Sequence, residues 1–282
     1  MRAQTLCSSR APGWPLFFLA ALLTVGLAPA GAASFDDPLP PLPPVRLDVP
    51  YVPTPHSVVR RMLEMADVQP DDDLVDLGSG DGRIVIAAVR DRGVKRALGI
   101  DLDPVRVREA RANARIAGVE EQVTFEEGDL FEKDFSDATV LTMFLLPGVN
   151  MRLLPVIQST MAPGTRVVSH AFDMGDWEPE QREMVEGNYV MLWIVPAQVA
   201  GDWRLTNADG TGVTLTLYQT HQKIHGSAME SGRVFTLEET LLRGDQIRFS
   251  FDGVEYAGRI DGDTMTAWGD DQAAKNWHAR RL

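Results

Sequence analysis

The chain has 282 residues, 44% hydrophobic and 24% charged, enough to bury one large core and a smaller one. Its net charge of −13, without a basic run, argues against a nucleic-acid groove. The single cysteine, Cys7, rules out an intrachain disulfide, and the five histidines form no metal-ligand grouping, so no metal is expected.

Residues 1–33 read as a targeting segment. Arg2 and Arg10 give it a positive start, no acid occurs before Asp36, and Trp14–Ala28 is an apolar run of 15 residues, short for a membrane span. Ala28-Pro29-Ala30 and Ala30-Gly31-Ala32 are small-residue cleavage candidates. The expectation is a secretory signal peptide and an exported, periplasmic protein. The alternative is an uncleaved anchor that keeps the protein near a membrane. Residues 34–50 form a linker with six prolines, expected to be an extended polyproline spacer or a tail.

The folded part is expected over 51–197, opening on Tyr51-Val52-Pro53-Thr54-Pro55. Thr54 before Pro55 reads as an N-cap with proline at the first helical position. Val58, Val59, Met62, Leu63 and Ala66 then fall at helical spacing. Next comes the stretch around which the chain is organised, Asp73–Asp103. A short apolar strand, Leu74–Leu77, runs into Gly78-Ser79-Gly80-Asp81-Gly82, then an apolar helix from Ile84 and a second strand ending on Asp101. This is the first half of a nucleotide-binding α/β unit. The glycines allow a sharp turn and close approach of a ligand, and the helix start presents free N–H groups to it. Asp101, at the end of the second strand, stands where a carboxylate accepts from both ribose hydroxyls.

Arg83 stands where a dinucleotide fingerprint needs Gly or Ala, and there is no Gly-Lys-Ser/Thr of a P-loop. An acid, Asp76, precedes the glycines and suits an amino group better than a pyrophosphate. A cationic, phosphate-free adenosine ligand fits, and S-adenosylmethionine (SAM) is the obvious one. The stretch looks like motif I of the class I SAM-dependent methyltransferases.

Further along, an Arg- and Ala-rich helix over Val105–Ala117 ends at Gly118. A third strand leads to Glu127-Gly128-Asp129-Leu130, where Asp129 is placed to accept from an adenine amino group. A fourth strand, Ala138–Phe144, runs into Leu145-Leu146-Pro147-Gly148-Val149-Asn150 without the Asn/Asp-Pro-Pro-Tyr/Phe motif of many DNA and glutamine methyltransferases. A fifth strand, Arg166–Ser169, precedes His170-Ala171-Phe172-Asp173-Met174-Gly175-Asp176-Trp177, and Asn188–Val195 reads as a late strand.

Four stretches together resemble one family: Tyr51–Pro55 (YVPTP), Asp76–Arg83 (DLGSGDGR), Ala138–Asn150 (ATVLTMFLLPGVN) and Ser169–Trp177 (SHAFDMGDW). They are similar to the mitochondrial lysine methyltransferases that modify the ATP synthase c-subunit and the adenine nucleotide translocase, and to their bacterial relatives. The resemblance spans about Tyr51–Trp177. It implies SAM-dependent protein-lysine N-methylation on a Rossmann-like α/β sheet, with a protein substrate. Tyr51, Thr54, Asp76, Gly78, Ser79, Gly80, Asp101 and Asp129 are the expected cofactor residues. Tyr51, His170 and Trp177 are expected to line the lysine channel, with His170 either a base or a structural hydrogen-bonder. The leader and an added C-terminal region depart from the family pattern.

From Gly201 the pattern becomes short alternating runs divided by Asp-Gly and Ser-Gly turns. This predicts a small antiparallel all-β domain over 198–282. Two other functions stay open at this stage: an exported binding protein that has lost turnover, and a small-molecule methyltransferase.

Overall fold

The structure is a computed structural model that describes residues 50–269 and 276–282. The expected leader and all but the last residue of the proline-rich linker lie outside the described residues. Everything described belongs to one compact unit, which contains two sheets.

The chain enters through α1 (His56–Met65). It continues as β1 (Asp73–Leu77), α2 (Arg83–Arg92), β2 (Arg96–Asp101), α3 (Pro104–Ala117) and β3 (Val123–Glu127). Then follow β4 (Val140–Met143), α4 (Pro147–Thr160), β5 (Arg166–His170), β6 (Gln181–Val185) and β7 (Asn188–Ile194). These strands form one sheet in the order β3-β2-β1-β4-β5-β7-β6, parallel except for β7, which runs antiparallel to both neighbours. The order reverses between β1 and β4, and ligands of open α/β sheets bind at the strand ends beside such a point.

Alternation along the strands gives each face its own core. Leu74, Val140, Val168 and Leu192 point to the side covered by α1, α2 and α3. Val75, Leu141, Val167 and Trp193 point to the side of α4. Local chemistry sets the helix ends. Asp103 caps α3 by accepting from Val105 N–H at 2.7 Å, with Pro104 at the first position. Gly93 and Gly118 close α2 and α3 in the left-handed conformation.

Thr54 departs from its expected role. The first helical bond runs from Val59 N–H to the Pro55 carbonyl. The Thr54 hydroxyl caps nothing and instead lies 3.1 Å from His170 Nδ1.

After Ile194 the chain changes sheets. β8 (Gly201–Thr206), β9 (Gly212–Thr220), β10 (Lys223–Glu230), β11 (Arg233–Thr236), β12 (Glu238–Arg243), β13 (Gln246–Phe251), β14 (Val254–Asp261), β15 (Thr264–Ala267) and β16 (His278–Arg281) follow. They form a nine-stranded antiparallel sheet. The Leu237 N–H reaches back to the Gly226 carbonyl and the Thr240 hydroxyl to the Ile224 carbonyl, so the sheet curls nearly shut into a barrel. Trp203, Phe249, Tyr256 and Trp277 pack inside it. The expected fold class, a Rossmann-like α/β sheet followed by a small antiparallel β region, is the one observed.

Candidate active site

The glycine turn between β1 and α2 forms one wall of a cleft of about 970 Å³, counted with its open mouth. Gly78, Gly80 and Gly82 all have positive φ (74°, 54° and 80°), a conformation that side chains disfavour. Space is short as well. A Cβ on Gly80 would lie 2.5 Å from the Tyr51 ring, and one on Gly82 would lie 2.6 Å from Phe125. The turn is anchored from β2, whose end residue Asp101 accepts from Gly80 N–H at 2.7 Å and from Asp103 N–H at 2.9 Å. One hydrogen bond on each carboxylate oxygen leaves each with further acceptor capacity.

Residues 50–54 form the front wall. The Tyr51 ring lies against Gly80, with the Arg106 guanidinium 4.6 Å from its centroid. Arg83 ties this segment to the glycine turn. Its Nη1 donates to the Thr54 carbonyl at 2.7 Å, while Nε and Nη2 grip Asp81 at 2.9 and 2.6 Å. Burial works to raise the Asp81 carboxyl, but the Arg83 hydrogen bonds and charge hold it below its ordinary value.

Charge in the cleft is lopsided. Asp76, Asp81, Asp101, Asp103 and Asp129 line it, against Arg83 and Arg106. Asp76 is only 2% exposed, and burial pushes its carboxyl up to about 7, against the pull of a 2.7 Å hydrogen bond from the Thr142 hydroxyl. Asp101 is also raised, chiefly by burial. Such a site rewards any ligand that brings a positive charge. Apolar side chains line the same cleft, Leu102 after β2 and Leu130 and Phe131 after β3. They offer a flat ring apolar contacts, with Asp129 next to Leu130 in the chain. Within the glycine turn, the Ser79 hydroxyl is buried and has no partner among the described residues.

All eight residues expected to hold the cofactor therefore line one cleft. Of the residues expected to line a lysine channel, only Tyr51 does. His170 is 2% exposed and lies against Phe144, ring centroids 3.8 Å apart, and burial lowers its pKa. Trp177 is 1% exposed in the core on the α4 side, and its carbonyl accepts from Trp193 Nε1 at 2.6 Å. Phe144, which the sequence reading did not single out, is an aromatic that does reach the cleft. It lines the cleft at the end of β4 and stacks on Phe172 at 6.2 Å. In the sequence, Phe144 is one more apolar residue ending a strand. Arg106 is one more arginine of an Arg- and Ala-rich helix. Asp81 and Arg83 could have been found from their spacing at the glycine turn.

Comparison with known proteins agrees with this geometry. Residues 76–181 match the family described as the ANTKMT methyltransferase domain. A protein-lysine N-methyltransferase of Saccharolobus islandicus is 51% identical over 151 residues, which is 52% of this chain and 94% of that protein. The adenine nucleotide translocase lysine N-methyltransferase of Mus musculus is 38% identical over 48% of this chain and 58% of its own length. Among solved structures, an RNA methyltransferase from Salinibacter ruber in complex with S-adenosyl-L-homocysteine is 54% identical, with a TM-score of 0.51, over 52% of this chain and 96% of that one. The glycine turn, the acid ending β2 and the acid-lined cleft fit the ligand class seen in that complex. The chain belongs to this methyltransferase family and is a SAM-dependent methyltransferase.

Proposed function

We propose that the protein transfers methyl groups from SAM to lysine side chains of another protein. The observation that carries this reading is the make-up of the cleft, which is lined by five carboxylates and, from the end of β4 onward, by the apolar Phe144, Leu145 and Val149. Both lining arginines are already engaged, Arg83 with Asp81 and Arg106 with Tyr51 and Asp103. An RNA backbone entering here would meet carboxylates, whereas a lysine is drawn in by them. The lysine-methylating relatives support the same acceptor.

In this reading Asp76 faces the amino group of SAM, Asp101 its ribose hydroxyls and Asp129 its adenine amino group. Leu102, Leu130 and Phe131 flank the adenine, and Tyr51 and Thr54 close the front. SAM supplies a methyl group already activated on a sulfonium, so the chain's own task is placement and exclusion of water. Phe144, with Phe172 stacked on it, gives the lysine stem an apolar surface and disfavours the ammonium form, leaving a neutral amine to attack. No side chain need act as base, in keeping with the burial of His170 against Phe144.

The test is transfer of labelled methyl from SAM into separated protein and RNA fractions, followed by hydrolysis of the protein. Label recovered as methyllysine supports the reading, and label confined to RNA refutes it. The proposal extends to residues 1–33 as a secretory leader that brings the enzyme to an exported or membrane-adjacent acceptor. N-terminal sequencing of the mature protein checks this, since an intact Met1 end refutes cleavage.

A further inference from the structure

The family match ends at residue 181, and the barrel strands begin at Gly201. One turn of that barrel grips the loop on the acceptor side of the cleft. This loop, residues 171–180, carries Phe172 at its inner end. There the Phe172 carbonyl accepts from Asn150 Nδ2 at 3.2 Å and from the Ser169 hydroxyl at 2.7 Å. Its outer end is held by the β9–β10 turn. Gln222 Nε2 donates to the Glu178 carbonyl at 2.8 Å, and Lys223 pairs with the Glu178 carboxylate at 2.7 Å.

His221 is the centre of this grip. Its backbone sits at φ 54°, turning the side chain off the end of β9. Its ring stacks on Trp177 with centroids 6.1 Å apart and planes 23° from parallel. Nε2 lies 3.2 Å from Asp176 Oδ1, and Nδ1 lies 2.8 Å from the Gln158 amide on α4. One side chain thus joins the barrel, the acceptor-side loop and the helix that also holds Phe172 through Asn150. The side chain of His221 is only 15% exposed, whereas that of Asp176 is 79% exposed. The ring is therefore the sheltered part of the contact and the carboxylate its solvated edge.

We propose that His221 is a positioning residue for methyl transfer: from the barrel it fixes the loop 171–180, and through that loop the Phe172 ring beside Phe144. The barrel then acts as a buttress of the acceptor wall. The cofactor turn, residues 78–82, is built from β1, α2 and β2 and is out of this chain of contacts. The activity arm of the test rests on the lysine reading given above; the exchange arm does not.

The experiment uses the full chain and His221→Asn. Asparagine tolerates the left-handed backbone but has neither the imidazole stack nor its reach. With S-adenosylhomocysteine bound, amide hydrogen exchange across 171–178 is expected to quicken at least tenfold. Exchange in 78–82 and in the barrel strands is expected to stay within twofold, as is the Kd for SAM. With poly-L-lysine as acceptor, KM rises at least threefold while kcat holds within twofold. His221→Phe retains a ring over Trp177 without the two polar contacts and is expected to recover part of the KM. Unchanged exchange in 171–178 overturns the proposal. So does equal quickening throughout the barrel and the cofactor turn, which marks a merely structural residue, and so does faster loop exchange with unaltered KM. If the wild-type enzyme leaves poly-L-lysine unmethylated, the lysine reading fails, and the exchange result alone decides whether His221 clamps the loop.

Discussion

Replacing Asp76 by Asn tests the electrostatics of the cleft most directly. The carboxyl ionises near 3.8 in the unfolded chain and near 7 in the folded one, because burial opposes its charge. Between those values the folded chain holds the extra proton. The group therefore costs nothing below pH 4, and its penalty grows as pH rises, to about 4 kcal/mol once both states are ionised. Asn has nearly the same shape and its amide oxygen can still accept from Thr142, but it never ionises. An unpartnered amide N–H costs about 1–3 kcal/mol at any pH, an offset that leaves the pH dependence untouched. Urea denaturation of the ligand-free protein at pH 5 and pH 8 separates the two contributions. The stability of Asp76→Asn relative to wild type is expected to improve by roughly 2–3 kcal/mol from the lower pH to the higher. Parallel curves, agreeing within about 0.5 kcal/mol, a margin of ordinary extrapolation error, refute the reasoning. Calorimetry supplies the complementary sign. A cationic ligand favours the ionised carboxylate, so wild-type affinity for SAM rises from pH 5 towards 7 and then levels. The Asn variant binds at least tenfold more weakly at pH 8, about 1.4 kcal/mol, and shows no such rise.

Other substitutions probe the remaining walls. Gly80→Ala combines φ 54° with a Cβ placed 2.5 Å from the Tyr51 ring. The left-handed backbone costs about 1–2 kcal/mol and the overpacking about 1–3 kcal/mol, to be read as a lowered denaturation midpoint together with weakened SAM binding. Phe144→Ala removes the acceptor surface but no lining carboxylate, so kcat falls at least tenfold while the Kd for SAM stays within threefold; equal loss in both assigns Phe144 to the cofactor. Arg83→Met leaves the Thr54 carbonyl and Asp81 without their partner. SAM should then dissociate faster in stopped-flow displacement, and an unchanged rate would show that the front wall holds without the latch. Thr54→Val leaves His170 Nδ1 buried without its 3.1 Å partner, a cost of about 1–3 kcal/mol in denaturant unfolding.

The cofactor wall was legible because its determinants are local. Gly78, Gly80 and Gly82 sit at backbone angles that favour glycine, Asp101 ends a strand, and Asp103-Pro104 and Gly118 punctuate a helix. Each signal lies within a few residues of its effect. The acceptor wall depends on distant partners. Thr54 before proline has the local signature of a cap, yet its hydroxyl is claimed by His170, 116 residues away. Trp177 follows a glycine-bearing turn and is expected to line the lysine channel, but α4 and Trp193 cover it. β6, with the sequence Gln181–Val185, is a polar edge strand with no apolar alternation to announce it. β12 hides for a related reason, since the register shifts between Glu238 and Leu241 and Glu239 takes φ 48°.

The same division bears on how the enzyme acquires its acceptor. The cofactor half comes mainly from one continuous stretch, 76–131, whose strands β1, β2 and β3 are neighbours in the sheet, with only the front segment 50–54 added. The acceptor half gathers Phe144 and Phe172 from the ends of two later strands and takes support from a barrel beyond the family match. A change in the barrel turn at 221–223 reaches Phe172 through the loop 171–180 and α4, without passing through the glycine turn. Affinity for SAM and choice of acceptor are then set by separate contacts, so substitutions can alter one while sparing the other. An added β region at this position can support the acceptor wall at little cost to the cofactor site, which fits a methyl-donor cleft sharing one compact unit with a barrel that lies beyond the family match.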